Sequence, residues 1–218
     1  MLDAIEIETA PNPVATIFVM HGLGANGNDF VPIAQEWDLS AVGPVRFIFP
    51  HAPHIPVTMN NGYVMPAWYD IAHDRSQEDE AGLRKSQAAI EALIAREKQR
   101  GMPASRIVIA GFSQGCAMSL MVGLRHAEPL AGILGMSGYL PLATLTAAER
   151  SEANANTRIF LAHGRQDPMI VLPRAVASRD ALRALGYGVE WHEYDMPHTV
   201  CMEEVADMNK WLLDVLKA

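Results

Sequence analysis

Cysteine is scarce in this sequence, since the 218 residues contain only two, Cys116 and Cys201. Two cysteines cannot form the disulfide framework that stabilises small secreted proteins, so a hydrophobic core has to hold the fold. We therefore expect both to be small buried side chains. A bridge between them and a reactive thiol are the alternatives left open.

Basic charge and long apolar runs are also in short supply. Lysine and arginine number 17 against 25 acidic residues, and the net charge of −8 argues against the basic face that nucleic acid would need. No apolar run reaches the roughly 18 residues that span a bilayer, and the first residues lack the basic and apolar segments of a signal peptide. We expect a cytoplasmic protein without a nucleic-acid partner and without stable membrane association.

Metal ligands are sparse as well. His51 and His54 lie close together in the sequence, but no third ligand accompanies them, so no metal site is predicted there. Nothing in the sequence implies an organic cofactor either.

The composition is that of a globular enzyme. Apolar residues make up 50% of the chain and charged residues 19%. No linker-like segment divides the 218 residues, so we predict one domain covering residues 1–218. No connection is long enough for a separate cap domain, and the longest irregular stretch, residues 51–70, carries several aromatic side chains and is predicted to be a functional loop.

Strand and helix patterns alternate along the chain. Residues 14–20 form a continuous run that is apolar except for Thr16, which is typical of a strand buried on both faces of a parallel sheet. The alternation predicts an α/β fold, a mostly parallel, doubly wound sheet with helices on both faces. The predicted strands are 5–8, 14–20, 45–50, 106–110, 130–136, 158–162 and 189–194. Two predicted helices are 172–185 and 200–216, and a third follows Gly115. A fourth is capped by Asn28 or Asp29 and ends near Trp37, and a fifth starts around Ser76 and ends near Lys98.

The most informative motif is Gly111-Phe112-Ser113-Gln114-Gly115, a G-x-S-x-G sequence between an apolar run and a helix-like segment. In a nucleophile elbow the serine sits at the tip of a sharp turn, and the glycines are needed where a Cβ would strike a crossing segment. The motif predicts Ser113 as a nucleophile. A plain strand-to-helix turn is the alternative.

A serine nucleophile needs a base within hydrogen-bond reach and a carboxylate that orients the base. In this kind of fold both follow the serine, at the carboxyl ends of later strands. Asp167 comes shortly after the predicted strand 158–162, whereas Asp180 falls within a helix and Asp195 lies only three residues before the expected base. Asp167 is therefore the predicted acid.

The histidines that follow the serine are His126, His163, His192 and His198. Only the last two also follow Asp167, and His192 lies within a predicted strand. His198 lies in the loop between the last strand and the final helix, where a side chain can reach the carboxyl edge of the sheet. His198 is the predicted base, with a loop or capping role as the alternative, and His163 is predicted to be structural.

Residues 21–27 are rich in glycine and directly follow the second predicted strand. Glycines at this place let backbone amides approach a ligand closely, although an ordinary turn would have the same composition. Acyl transfer requires amide donors for the developing oxyanion. We predict that the backbone N–H groups of Leu23 and Gln114 supply them.

Taken together, these segments resemble the small carboxylesterase and acyl-protein thioesterase (phospholipase/carboxylesterase) family of α/β-hydrolases, from about residue 14 to the end. The segments that carry the resemblance are His21-Gly22-Leu23-Gly24, residues 62–70, the G-x-S-x-G motif, His163-Gly164 with Asp167, and His198. Two positions depart from the usual pattern: Cys116 stands where relatives often have glycine, and Thr199 follows His198 where many have glutamate.

The resemblance implies an α/β-hydrolase fold, a triad of Ser113, Asp167 and His198, and an oxyanion hole formed by the Leu23 and Gln114 amides. It also implies an acyl pocket bordered by the loop from Met65 to Tyr69. The substrate-binding residues expected from it are Met65, Trp68 and Tyr69.

We therefore expect a serine hydrolase that cleaves carboxylic esters of short to medium acyl chains through an acyl-enzyme intermediate. The alternative is an acyl-thioesterase or lysophospholipase acting on longer chains, and a remoter one is a non-catalytic acyl-binding protein. The expected partner is a small-molecule ester, and a homodimer is left open because no residue pattern reveals an interface.

Overall fold

The computed structural model describes residues 1–73 and 77–217. Its centre is a seven-stranded sheet with the spatial order β1-β3-β2-β6-β7-β8-β9. The strands are β1 (Ala4–Glu8), β2 (Ala15–Met20), β3 (Val45–Pro50), β6 (Ile107–Phe112), β7 (Gly132–Met136), β8 (Ile159–Gly164) and β9 (Val189–Tyr194). A separate two-stranded hairpin consists of β4 (His54–Val57) and β5 (Tyr63–Pro66).

Only the edge strand β1 of the large sheet is antiparallel to its neighbour, β3. The other neighbouring pairs are parallel. This arrangement confirms the predicted mostly parallel sheet of an α/β-hydrolase. It also puts the carboxyl ends of β6, β8 and β9 on one edge, from which the candidate site is built.

Helices cover both faces of the sheet, as predicted. Alternate residues of β2 show the two environments: Ile17 and Val19 pack toward α1 (Val31–Gln35) and α6 (Met202–Leu216). Phe18 and Met20 pack toward α2 (Glu80–Gln99) and α3 (Gln114–Gly123). Helix α5 (Leu172–Ala184) packs on the same side as α3, through Leu182. A strand covered on both faces is apolar at nearly every position. In β2 the one polar side chain, Thr16, is buried and donates its hydroxyl to Glu97 Oε2 at 3.0 Å.

Two helix starts differ from the prediction. The first helical segment is capped by Asn26, not by Asn28 or Asp29. The Asn26 side chain accepts a hydrogen bond from the Asn28 N–H, and the Asp29 carboxylate accepts one from the Asn26 N–H. The long helix α2 begins after Asp79, whose carboxylate accepts from the Gly82 amide. Ser76, where the sequence placed that start, lies outside the described residues.

Two elements are absent from the prediction. The stretch 51–70, predicted as a loop, contains the hairpin of β4 and β5. A short helix, α4 (Ala143–Glu149), follows β7.

Both cysteines are free; Cys116 is buried and Cys201 is half-buried. No helix within the described ranges is long and apolar enough to cross a membrane.

Candidate active site

Ser113 occupies the turn between β6 and α3 with φ 58° and ψ −116°, a conformation that L-residues rarely adopt. The neighbouring glycines make this turn possible. A Cβ on Gly115 would lie 2.0 Å from the carbonyl oxygen of Met20, and a Cβ on Gly111 would lie 2.1 Å from the carbonyl oxygen of Gly115. The G-x-S-x-G motif is therefore a steric requirement of this turn.

The space behind the elbow is filled by Cys116. A Cβ on Gly138 would meet the Cys116 Cβ at 2.3 Å, and a Cβ on Gly135 would meet the Cys116 Sγ at 2.6 Å. Glycine at both of these positions makes room for the cysteine side chain. Burial raises the pKa of the Cys116 thiol to about 12, so the thiol stays protonated and acts as a small apolar group.

Ser113, His198 and Asp167 are hydrogen-bonded in series. His198 Nε2 lies 3.0 Å from Ser113 Oγ, and His198 Nδ1 lies 2.6 Å from Asp167 Oδ2. Neutral histidine with the proton on Nδ1 donates to the carboxylate and leaves Nε2 as an acceptor for the serine proton. The geometry is that required of a nucleophile, a base and an orienting acid.

The loop after β8 holds Asp167 firmly. Asp167 Oδ1 accepts from the backbone N–H groups of Met169 at 2.8 Å and Ile170 at 2.9 Å, which leaves Oδ2 for His198. His163 Nε2 lies 2.7 Å from the Ile170 carbonyl oxygen, and burial lowers the pKa of His163, so a neutral ring donates this bond. His163 thus braces the loop that carries the acid.

The alternative acids and bases have other partners, away from the serine. Asp180 pairs with Arg179, Asp195 with Arg165, His192 with Glu190 and His126 with Glu91.

Thr199 is exposed and its backbone N–H donates to the Pro197 carbonyl. The ring of Phe112 supports His198, with the two ring centroids 4.7 Å apart.

The glycine-rich loop after β2 is fixed by His21. Its Nε2 accepts from the Ala52 N–H at 3.0 Å, and its Nδ1 donates to the Gly22 carbonyl at 2.8 Å. Burial lowers the pKa of His21, which keeps the ring neutral as this bonding requires. The backbone N–H of Gly24 donates to the Pro66 carbonyl at 2.8 Å. Leu23, in contrast, lines the cavity that also contains Ser113.

Gln114 connects the elbow to the loop after β5. Its side-chain oxygen accepts from the Trp68 N–H at 3.0 Å, and its side-chain nitrogen donates to the Tyr69 carbonyl at 2.9 Å. Its own backbone N–H belongs to the first turn of α3, where amides have no partner within the helix. Sequence reasoning missed the side-chain role, because a residue between Ser113 and Gly115 gives no pattern that indicates a distant loop.

A mostly apolar cavity of about 360 Å³ opens at the serine. Of the three residues expected to bind substrate, Tyr69 lines this cavity, but Met65 and Trp68 do not. Trp68 is buried behind the loop, where its indole N–H donates to the His21 carbonyl at 2.8 Å. Met65 lies instead against the glycine-rich loop, its Sδ 3.7 Å from where a Cβ on Gly24 would stand.

Other cavity residues had not been singled out from the sequence. The Tyr69 and Tyr139 hydroxyls are 2.8 Å apart, and the guanidinium carbon of Arg174 lies 3.5 Å from the centre of the Tyr139 ring. Tyr139 follows β7 closely, so the rule that ligands bind beyond the carboxyl ends of parallel strands could have indicated it. Arg174 in the first turn of α5 carried no such signal.

Of the two histidines considered for a metal site, one is engaged in a hydrogen bond and the other is exposed to solvent. His51 Nδ1 accepts from the Gly27 N–H at 3.2 Å, and His54 is an exposed residue of β4. Within residues 1–73 and 77–217, no group of three or more His, Cys, Asp or Glu side chains could hold a metal ion.

Comparison with known proteins finds relatives that match nearly the whole chain. A family profile described as Phospholipase/Carboxylesterase matches residues 3–216. A curated protein of Yarrowia lipolytica, "Acyl-protein thioesterase 1", is 38% identical over 221 residues, covering 98% of this chain and 97% of its own. The protein of the same name from Neurospora crassa is 43% identical over 214 residues, covering 93% and 87%.

Solved structures show the same fold. The crystal structure of Arabidopsis thaliana SOBER1 has a TM-score of 0.86 at 28% identity, covering 93% of this chain and 99% of its own. That of Zea mays acyl-protein thioesterase 2 has a TM-score of 0.83 at 28% identity, covering 97% and 99%.

Proposed function

The chain belongs to the phospholipase/carboxylesterase family, and from that premise we propose that it hydrolyses acyl esters with Ser113 as nucleophile, His198 as base and Asp167 as the acid that orients the base. The observation that carries this proposal is the hydrogen-bonded series of 3.0 Å and 2.6 Å at the wall of an apolar cavity.

The proposed reaction uses each group in turn. His198 Nε2 removes the proton of Ser113 Oγ as the oxygen attacks the acyl carbonyl, and the amides of Leu23 and Gln114 stabilise the oxyanion. Collapse expels the alcohol or thiol, which takes the proton from His198 and leaves an acyl-enzyme. Water activated by His198 then releases the acid and regenerates Ser113.

Acyl thioesters are the substrate class that we propose first. The support is the family relationship, because the Yarrowia lipolytica and Neurospora crassa relatives are named acyl-protein thioesterases. Carboxylic oxyesters of short to medium acyl chains are the second candidate. Their support is the lining of the cavity, where the paired phenols of Tyr69 and Tyr139 and the cation of Arg174 are poor neighbours for a long alkyl chain.

The test is kcat/KM for matched oxyesters and thioesters with acyl groups from acetyl to palmitoyl. Ser113→Ala is the blank, and Ser40→Ala, at an exposed serine, is the matched control. A maximum on thioesters that disappears in the blank supports the first candidate, and one on short or medium oxyesters supports the second. No Ser113-dependent rate on any substrate contradicts the proposal and favours a non-catalytic acyl-binding protein.

We also propose a cytoplasmic location without stable membrane association. The support is the acidic net charge of −8 and the lack of an apolar run of roughly 18 residues in the sequence. The homodimer stays an open prediction.

A further inference from the structure

Arg174 brings a positive charge to the wall of the cavity that contains Ser113. Its side chain is half-buried and lies flat on Tyr139, with the guanidinium carbon 3.5 Å from the ring centre. Tyr139 in turn is hydrogen-bonded to Tyr69, the residue expected at the acyl pocket. The charge is therefore located where the acyl group of a substrate is expected to lie.

Helix stability does not account for this arginine. Arg174 lies in the first turn of α5, where a cation opposes the helix macrodipole. The ion pairs formed by arginines in residues 1–73 and 77–217 do not include Arg174. Part of the guanidinium is engaged, because Arg174 hydrogen-bonds to the Tyr139 hydroxyl. The group has five N–H donors, so others at its edge are left for a ligand.

The carboxylates of the cavity wall are each engaged by other donors. Asp29 accepts from the Asn26 amide, Asp70 from the Thr58 amide and hydroxyl, and Glu78 from the Leu142 amide. Of these, Glu78 is the carboxylate whose charge acts on Tyr139. Burial raises the pKa of Tyr139, the Arg174 charge opposes that rise and the Glu78 charge adds to it.

We infer that Arg174 binds a carboxylate at the far end of the acyl group, so that the preferred acyl donors are monoesters or monothioesters of dicarboxylic acids. The inference rests on the proposed function, because it specifies the substrate of the same site. A planar guanidinium edge fits a carboxylate through two parallel N–H···O bonds, and the aliphatic part of such an acyl group suits the apolar wall.

The chemistry is the acyl transfer already described. Ser113 Oγ bonds to the ester carbonyl carbon, the bond to the alcohol or thiol breaks, and the leaving group takes the proton held by His198. Water then cleaves the acyl-enzyme, and the products are the free dicarboxylic acid and the alcohol or thiol. The distal carboxylate stays ionised on Arg174 throughout and takes no part in bond breaking.

The experiment compares p-nitrophenyl monoesters of succinic, glutaric and adipic acid with the same compounds capped as methyl esters at the distal carboxyl group. Charged and capped partners have nearly the same length. Because a free distal carboxylate also attacks its own aryl ester, the rate of each ester without enzyme is subtracted, and the ratio of the corrected kcat/KM values then reports the distal charge. We expect the wild type to favour the charged partner for at least one chain length by about 10- to 100-fold, the range of a charge-assisted hydrogen bond.

Two variants test whether Arg174 causes that preference for the charged ester. Arg174→Gln should bring the ratio close to one, and Glu78→Gln, which keeps an acceptor for the Leu142 amide, should raise the ratio because a competing negative charge is removed. Thermal melting of each variant verifies folding, and Glu80→Gln, at an exposed residue of α2, is the matched control.

The inference fails if the wild type shows no preference for any charged partner, or if the preference survives in folded Arg174→Gln. In either case Ser113-dependent turnover of the capped esters would leave the proposed function standing. Absence of Ser113-dependent turnover on both kinds of ester would overturn the proposed function and this inference with it.

Discussion

At Asp167 the two carboxylate oxygens have separate tasks. Oδ1 accepts two backbone N–H groups of its own loop, and Oδ2 faces His198 Nδ1 at 2.6 Å. The first task fixes the position of the carboxylate, and the second fixes which nitrogen of the imidazole carries the proton. A neutral replacement can keep the first task and lose the second.

We expect Asp167→Asn to lose about 10⁴-fold in kcat. The asparagine oxygen can still accept from the Met169 and Ile170 amides, but its NH₂ group would then face His198 Nδ1. That ring nitrogen would become the acceptor and the proton would move to Nε2, which could no longer take the proton of Ser113. Steady-state kinetics on the best ester found for the wild type measures the effect.

The control is Asp195→Asn, at an exposed residue that pairs with Arg165. It should retain wild-type turnover. A loss of less than tenfold in Asp167→Asn, with the fold intact, would mean that Asp167 does not orient the base.

Single residues also show which parts of the candidate site could be predicted from the sequence. Ser113, Asp167 and His198 could be predicted because each follows a strand, and strand ends in a parallel sheet share an edge. Met65 and Trp68 were expected at the cavity but lie elsewhere, since the path of the 51–70 segment depends on contacts such as Gln114 to Trp68 that join residues 46 positions apart. Spacing along the chain carries no information about such contacts.

Among the helices, α6 contains an unusual carboxylate. Glu204 is fully buried in its first turn, and within the described residues neither carboxylate oxygen has a hydrogen-bond partner. Burial raises the pKa of Glu204 to about 8. The nearby Tyr194 and Cys116, whose pKa values Glu204 helps to raise, are also neutral at pH 7.

This carboxylate should make the protein less stable as the pH rises. The pKa of Glu204 is higher in the folded chain than the ordinary 4.5, so the folded state holds the extra proton between about pH 4.5 and 8. The stabilisation is complete below that window and is lost across it, at up to about 1.4 kcal/mol per pH unit. We expect the free energy of unfolding of the wild type to fall relative to that of Glu204→Gln from pH 5 to pH 8.

Urea unfolding at several pH values measures this difference. Glu203→Gln, at the exposed neighbouring position, should follow the wild type. If wild type and Glu204→Gln kept a constant difference across the window, Glu204 would have to be ionised in the folded protein at pH 5 as it is in the unfolded chain.

Elements were predicted best where burial produced long patterns, on both faces of β2 and along one face of α6. The hairpin of β4 and β5 was missed because Pro56 and Pro66 fall within it, and proline ordinarily argues against a strand. The Asn26 cap was missed because three of the four residues at 26–29 can cap a helix, and the choice among them depends on the reciprocal bond from Asp29.

At the scale of the whole molecule, the parallel sheet brings distant residues together. Ser113 and His198 are 85 positions apart in the chain, yet the carboxyl ends of β6 and β9 bring them into hydrogen-bond contact. The fold class and the series of three side chains were accessible from the sequence for this reason. The cluster that Tyr139 and Arg174 form with Tyr69 was not, because its members come from three loops or helix ends whose meeting depends on the packed structure.

The most direct test of the central claim, that His198 activates Ser113 as the nucleophile, is intact-mass analysis of the folded protein after reaction with a fluorophosphonate. We expect one adduct, mapped to Ser113, in the wild type and in His192→Ala, much slower labelling in His198→Ala, and none in Ser113→Ala. Folded wild-type protein that stays unlabelled, or that carries its adduct on another residue, would contradict the claim.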